Sequence, residues 1–458
     1  MKKNKRVHGI LFLYFHYWDR NAPTIIEHLS SFSEYSKFKV WNINTEHGFP
    51  AGLKSLEFDI IVLHYSLFGS KYLLNNDLLE YLKNSRSSYK IAFFQDEHHY
   101  CQQRFAFLND YNIDCVYTLL HPDNFKDVYE KYTGVKRLIQ TLTGYVDDNV
   151  IKNAKKYSKP DNMRDIDIGY RARKLDWYMG KGAQEKSEIG EKFIEHAGGT
   201  ELKLDIATAE GDRLYGNKWY KFLGNQRACL GVEAGVSIYD IQDVVRPEWE
   251  RLRAENPSMT FAEMSECLFN KWEGNIPYRT ISPRVFEAAA FHICQILYEG
   301  EYQGILKPMV DYIPLKKDFS NFDEVIKLFH DTRFRKRITE NCYQHLIASG
   351  EYTYRKFIDA FDEELVKQGY NHRLSRDKKQ NIMAWFALNK DMPSRIIPRY
   401  VIYVGNKSIE KTIPFLGKLI SSTDFGKKFL MPILKPAFDT TFRFIYVKLV
   451  RRFYDYGK

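Results

Sequence analysis

The feature that most limits what this chain can become is an alternation. Short apolar runs recur through the first third at Val7–Phe15, Lys39–Ile43, Phe58–Leu63, Lys90–Phe94 and Asp114–Leu119. Helical spacing begins near Thr24 and again over Leu78–Asn84. Strands of this kind alternate with helices along the chain. Such strands belong to a parallel sheet covered by helices on both sides. This predicts a Rossmann-like domain over residues 1–148. No GxGxxG follows the first strand, so a dinucleotide is not expected there.

The pattern resumes after a polar stretch, NAKKYSKPDNMRD, which is broken at Pro160 and reads as a linker. A strand is expected over Asp165–Tyr170, a helix over Ala183–His196, and strands over Leu202–Ile206 and Arg227–Gly231. Asp243–Gly274 reads as inserted helices, a lid or a packing element, with a capping box from Thr260 to Glu263. Next comes RTISPRVFEAAAFHICQILY, from Arg279 to Tyr298. Ser282 is a good N-cap and Pro283 suits the first helical position, while ICQILY reads as a buried strand. A closing helix is expected over Tyr352–Val366. Residues 149–368 therefore form a second Rossmann-like domain, facing the first across a cleft. Such clefts, at the carboxyl ends of parallel strands, are where ligands bind.

Charge sets the remainder apart. From Asn371 to Lys458 there are 18 Lys+Arg against 6 Asp+Glu, a balance of +12, while the rest of the chain carries 50 against 52. Residues 369–458 thus form a basic, aromatic-rich extension, ending FRFIYVKLVRRFYDYGK. Its mixture of cations and large apolar groups suits an anionic membrane surface met through 371–458, and its apolar content argues against nucleic acid. A small helical domain with a basic outer face is the alternative. The start MKKNKRVHGILFLYF has the look of a signal peptide but reads as a first strand, because Trp18, Asp19 and Arg20 follow at once. No apolar run is long enough to span a bilayer. The six cysteines, Cys101, Cys115, Cys229, Cys267, Cys294 and Cys342, show no CxxC spacing, so reduced thiols in a cytoplasmic protein are expected.

Three strand tips in the first domain carry polar chemistry. His16, Tyr17 and Asp19 follow the first strand, and His64 and Tyr65 the third. Gln95, Asp96, Glu97, His98 and His99 follow the fourth. Asp96 or Glu97 could serve as general base toward a hydroxyl, with His98 orienting it. The other reading is a polar loop whose carboxylates cap the next helix. Adjacent histidines lack helical metal-ligand spacing, and no metal is expected.

The block SPRVFEAAAFHICQIL resembles the donor-binding segment of GT-B glycosyltransferases, in particular the spore-coat glycosyltransferase-like proteins. The resemblance extends loosely from Arg6 to about Gln368. It implies that Arg284 and Glu287 stand at the start of the donor helix, with Glu287 on the ribose of a nucleotide. It implies that Arg171, Arg173 and Lys181 meet the diphosphate, whose growing negative charge fixed cations and helix amides would stabilise. Glu233, Gly235 and Ser237 match a Glu-x-Gly-x-Ser at a strand tip, implying contact with the donor sugar. Many retaining members carry a second Glu eight residues before the ribose Glu. Arg279 stands there in this chain, which leaves the stereochemical course open.

The expectation is a metal-independent glycosyltransferase with no cofactor beyond its co-substrate, a nucleotide-diphosphate sugar. It would act on a glycan or lipid-linked acceptor, as a cytoplasmic protein at the inner face of the cell membrane. Two rivals stay open: a nucleotide-sugar epimerase of the same fold, and a non-catalytic nucleotide-sugar-binding protein.

Overall fold

The structure, a computed structural model, describes residues 5–16, 23–69, 72–396, 399 and 400. Tyr17, Asp19 and most of the basic extension lie outside the described residues. The first sheet holds β1 (Lys5–Tyr14), β2 (Val40–Asn44), β3 (Leu56–Leu63), β4 (Tyr89–Phe93), β5 (Cys115–Thr118) and β6 (Arg137–Gln140). Its order is β2-β1-β3-β4-β5-β6, with all neighbours parallel. The second holds β7 (Ile166–Arg171), β8 (Leu204–Ala207), β9 (Gln226–Gly231), β12 (Cys294–Tyr298) and β13 (Ile313–Leu315) in the order β13-β12-β9-β7-β8, again all parallel. Between β9 and β12 lies a small antiparallel pair, β10 (Ala234–Val236) and β11 (Tyr278–Thr280).

The helices in chain order are α1 (Pro23–Tyr35), α2 (Asn76–Asn84), α3 (Cys101–Asp110), α4 (Asp148–Tyr157), α5 (Lys181–His196), α6 (Asn217–Gly224) and α7 (Val245–Glu255). There follow α8 (Phe261–Met264), α9 (Pro283–Ala290), α10 (Phe322–His330), α11 (Thr332–Tyr343), α12 (Tyr354–Lys367) and α13 (Lys378–Asn389). The period of two along each strand splits the first sheet cleanly. Ile10, Phe12, Ile60, Val62, Ile91 and Phe93 face α1 and α12. Leu11, Leu13, Ile61, Leu63, Ala92 and Phe94 face α2, α3 and α13. This is the two-domain Rossmann-like fold expected above.

Four details depart from the expectation. The stretch read as a linker begins inside a helix, α4, which runs on to Tyr157 before the chain breaks toward Pro160. Asp147 caps that helix, and Val150 and Ala154, one turn apart, bury against α6 and α9. β6 and β13 were not expected. Both are short edge strands, and β6 is half exposed, so neither has a long apolar run. The extension contains a helix, α13, whose Ala384 and Leu388 enter the core of the first lobe.

The fourth departure concerns residues 232–281. This segment leaves the second sheet and docks on the first lobe, where Val236, Tyr239, Ile276 and Tyr278 join the core. Helix α3 has no side-chain cap of its own, since Tyr100 precedes it in a left-handed conformation. Asp243 supplies the cap from this excursion, accepting from the amides of Cys101 (2.7 Å) and Gln102 (2.8 Å). The expected capping box of Thr260 and Glu263 is present within it.

Two late helices bind back to the first lobe. On α12, Glu364 takes both arms of Arg137 (2.9 Å each), and Asp362 accepts from the Ser36 hydroxyl and the Lys37 amide. On α13, Gln380 repairs a defect in β1. The register of β1 against β3 slips between Val7 and Ile10, around Gly9 at φ +141°. The Gln380 amide then serves the stranded backbone of His8, accepting from its N–H (3.0 Å) and donating to its carbonyl (2.9 Å).

Candidate functional site

The first wall is the turn after β4. Asp96 is exposed and sits at φ 50°, a left-handed conformation that costs energy for a residue with a side chain. Glu97, next to it, points the other way. It is fully buried and accepts from Thr118 Oγ1 (2.6 Å), the Leu119 amide (2.8 Å) and the Tyr129 hydroxyl. Burial pushes its carboxyl up, opposed by Arg104 and these hydrogen bonds. Glu97 is thus an internal hub of the first lobe and cannot take a proton from a substrate. His98 is also buried, 2.9 Å from His99 through Nε2. Burial, aided by Arg104, holds His98 down to about 3, so it is neutral. Of the three expected proton-handling residues, only Asp96 reaches solvent.

The second wall comes from β7, α5 and α9. Arg171 does not project into the cleft. Its guanidinium pairs with Asp205 (2.6 Å), donates to the Tyr170 and Asp205 carbonyls, and lies over the Phe222 ring. Arg173 and Lys181 are exposed. The first amides of α5 are already capped: the Gly182 N–H donates to Ser237 Oγ (2.7 Å) and the Lys181 N–H to Glu273 (3.1 Å). Ser237 is therefore a capping residue here. Glu233 is buried and tied to the Tyr302 amide (2.8 Å) and Arg279 (3.4 Å), with Gly300 against its carboxyl group. Gly235, at φ +95°, gives space to a neighbouring strand, since a Cβ there would sit 2.0 Å from the Tyr278 carbonyl.

Two residues passed over in the sequence as ligands stand out. Lys186 lies partly buried on α5. Burial pulls its ammonium down to about 8, opposed by Asp96 across the lobes and reinforced by Arg279, Arg284 and Arg173. Arg279, in the place of the absent upstream Glu, donates to the Gly182 carbonyl (2.6 Å) and pairs with Glu185 and Glu233. A signal for Lys186 did exist. Gly182, Ala183 and Gly190 share its helical face at spacings of three and four, and small residues on a helix face mark a close approach.

Beside this cationic patch lies an acidic one. On α9, Ser282 caps the helix and Pro283 takes its first position, as expected. Arg284 donates to the Arg171 carbonyl and lies 5.3 Å over the Trp219 ring. Glu287 accepts from Trp219 Nε1 (3.2 Å), and burial pushes its carboxyl up. From the first lobe, Glu27 on α1 faces it. Burial, Asp147 and Glu287 together raise the Glu27 carboxyl to about 8, so Glu27 is protonated at neutral pH. Across the lobes, then, the charge of Asp96 acts on Lys186 and that of Glu287 on Glu27. No group of His, Cys, Asp and Glu is arranged to hold a metal ion among the described residues.

No family model matches the chain, and no curated protein matches it. Solved structures do. An alpha-glucosyltransferase in complex with UDP-glucose and DNA containing an abasic site is 11% identical, with a TM-score of 0.44 over 79% of this chain and 100% of that one. HepE of Anabaena in complex with UDP-glucose is 9% identical, with a TM-score of 0.44 over the same shares. TarM is 11% identical at a TM-score of 0.38, over 68% of this chain; the chain spans 55% of TarM's length.

Proposed function

We propose that this protein is a glycosyltransferase that moves a sugar from a nucleotide-diphosphate donor to a hydroxyl acceptor. The observation that carries the reading is the cluster of cations at the start of α5: Arg279 is fixed on the Gly182 carbonyl and Arg284 on the Arg171 carbonyl, and with Arg173 they act on the partly buried Lys186, which the charge of Asp96 on the other lobe also reaches. A partly buried ammonium crowded by guanidinium groups is a place for a polyanion. The diphosphate of a departing nucleotide supplies that charge at the moment of reaction.

In this reading Arg173, Lys186 and Arg284 hold the diphosphate, with Lys181 at the rim. Glu287, steadied by Trp219, accepts from the ribose hydroxyls. The bond between the anomeric carbon and the β-phosphate oxygen breaks, and the acceptor oxygen bonds to that carbon. Asp96 takes the acceptor's proton. The cations serve the leaving group without a metal. The acceptor is a glycan or a lipid-linked sugar at the inner face of a membrane, in cell-surface polysaccharide synthesis. This suits the resemblance of the α9 segment to the spore-coat glycosyltransferase-like proteins.

Arg279 favours one other reading, since it occupies the upstream Glu position and is neutralised by Glu185 and Glu233. That reading is donor binding without transfer. A thermal-shift screen against nucleoside diphosphates and their sugars identifies the donor, because a ligand of the native state raises its melting point. Transfer from that donor, lost in Asp96→Asn with binding kept, establishes the transferase. Binding that survives with no product over a panel of acceptors leaves a binding protein. No binding by any nucleotide sugar removes both readings.

A further inference from the structure

Helix α13 carries a face that nothing in the described chain covers. Its inner residues, Ala384 and Leu388, are buried in the first lobe, while Ile382, Trp385 and Phe386 are 59%, 54% and 62% exposed. Spacings of three and four put these on one stripe, and the Trp385 and Phe386 rings meet edge-on with centroids 5.1 Å apart. Lys378 and Lys379 stand one turn before Ile382, and Lys390 one turn after Phe386; all three are exposed. Beside the stripe is a shallow groove of about 520 Å³, walled by Lys39, Trp41, Arg376 and Asn381. Helix α13 lies against the amino end of β1, where Gln380 holds His8.

An apolar stripe bordered by lysines at both ends suits one partner in particular. Rings and aliphatic groups settle at the boundary of headgroups and acyl chains, while ammonium groups meet lipid phosphates. The chain's own residues 401–458 are the competing occupant. They carry 11 Lys+Arg against 4 Asp+Glu, the same sign as the border of the stripe, a charge match that favours an anionic surface over them. That charge adds to attraction toward an anionic surface instead.

We propose that the outer face of α13 is the docking surface of this protein on an anionic lipid bilayer. The inference rests on the membrane association proposed above and not on the transfer chemistry.

The test is co-sedimentation of the full chain with vesicles of phosphatidylcholine, with and without phosphatidylglycerol. The wild type is expected to sediment with the anionic vesicles only. Trp385→Ser/Phe386→Ser lowers the partition coefficient about tenfold or more. Lys378→Glu/Lys379→Glu lowers it too and flattens its dependence on salt. An unchanged melting temperature and unchanged nucleotide binding without vesicles show that the variants are folded and keep the donor question separate. The proposal is overturned if the serine variant sediments like the wild type, or if the wild type does not bind anionic vesicles. It is equally overturned if light scattering shows a dimer that the serine variant breaks and no vesicle is bound, because the face is then an interface between copies.

Discussion

At the scale of single residues, two ionisable groups make testable statements. Lys186 is held down to about 8 by burial and by the arginines around it. An anion in that place favours its charged form. Donor affinity is therefore expected to be level below about pH 8 and to weaken up to about tenfold per pH unit above it, as the ammonium is lost. Calorimetric titration of the nucleoside diphosphate across that range checks this, and Lys186→Met should remove the slope along with much of the affinity. Glu27 shows the opposite sign. Its carboxyl is raised to about 8, so between the ordinary carboxylate range and 8 the native state holds a proton that the unfolded chain has released. Stability falls as pH rises through that window. Glu27→Gln is expected to raise the melting temperature by about 1–3 °C near pH 8 and to change nothing near pH 4. The sequence shows why such residues are hard to pick. Asp96 and Glu97 are adjacent carboxylates in one polar run, and only the backbone turn at Asp96 decides that one meets solvent and the other becomes a buried hub. Glu233 and Ser237 likewise fit a ligand motif, but their partners, Tyr302 and Gly182, are distant in sequence.

At the scale of elements, what was legible was whatever announces itself locally. The core strands and the start of α9 are written in runs of apolar residues and in a Ser-Pro cap. α4 was hidden by its polarity, because only Val150 and Ala154 of it are buried. The excursion of residues 232–281 was visible as an insertion, but its destination was not, since that depends on Asp243 meeting the uncapped start of α3. Removing this cap should cost about 1 kcal/mol. Asp243→Ala is expected to speed amide exchange at Cys101 and Gln102 and, with them, in the adjoining turn of the excursion, because the two open as one unit. Exchange that rises only in the excursion would show that α3 does not depend on it.

At the scale of the whole molecule, the first sheet is completed from far along the chain. One of its faces is closed by α12 and part of the other by α13, so Phe357, Phe361, Ala384 and Leu388 are core residues of the first lobe. A fragment ending at residue 148 would keep α1, α2 and α3 but uncover part of each face. It is expected to show no cooperative urea transition by circular dichroism, whereas a chain ending after α13 should show one. A sharp transition in the short fragment would mean that the two late helices are accessories.

The bond between Gln380 and His8 joins residues 372 positions apart. During synthesis the amino-terminal strand leaves the ribosome long before the helix that mends it. The nascent first lobe must then wait, with aromatic surface uncovered, while the second lobe is translated and takes shape. Contacts of such long reach slow folding. In the cell, that places the period of greatest need for a chaperone late in translation, after most of the polypeptide has already emerged.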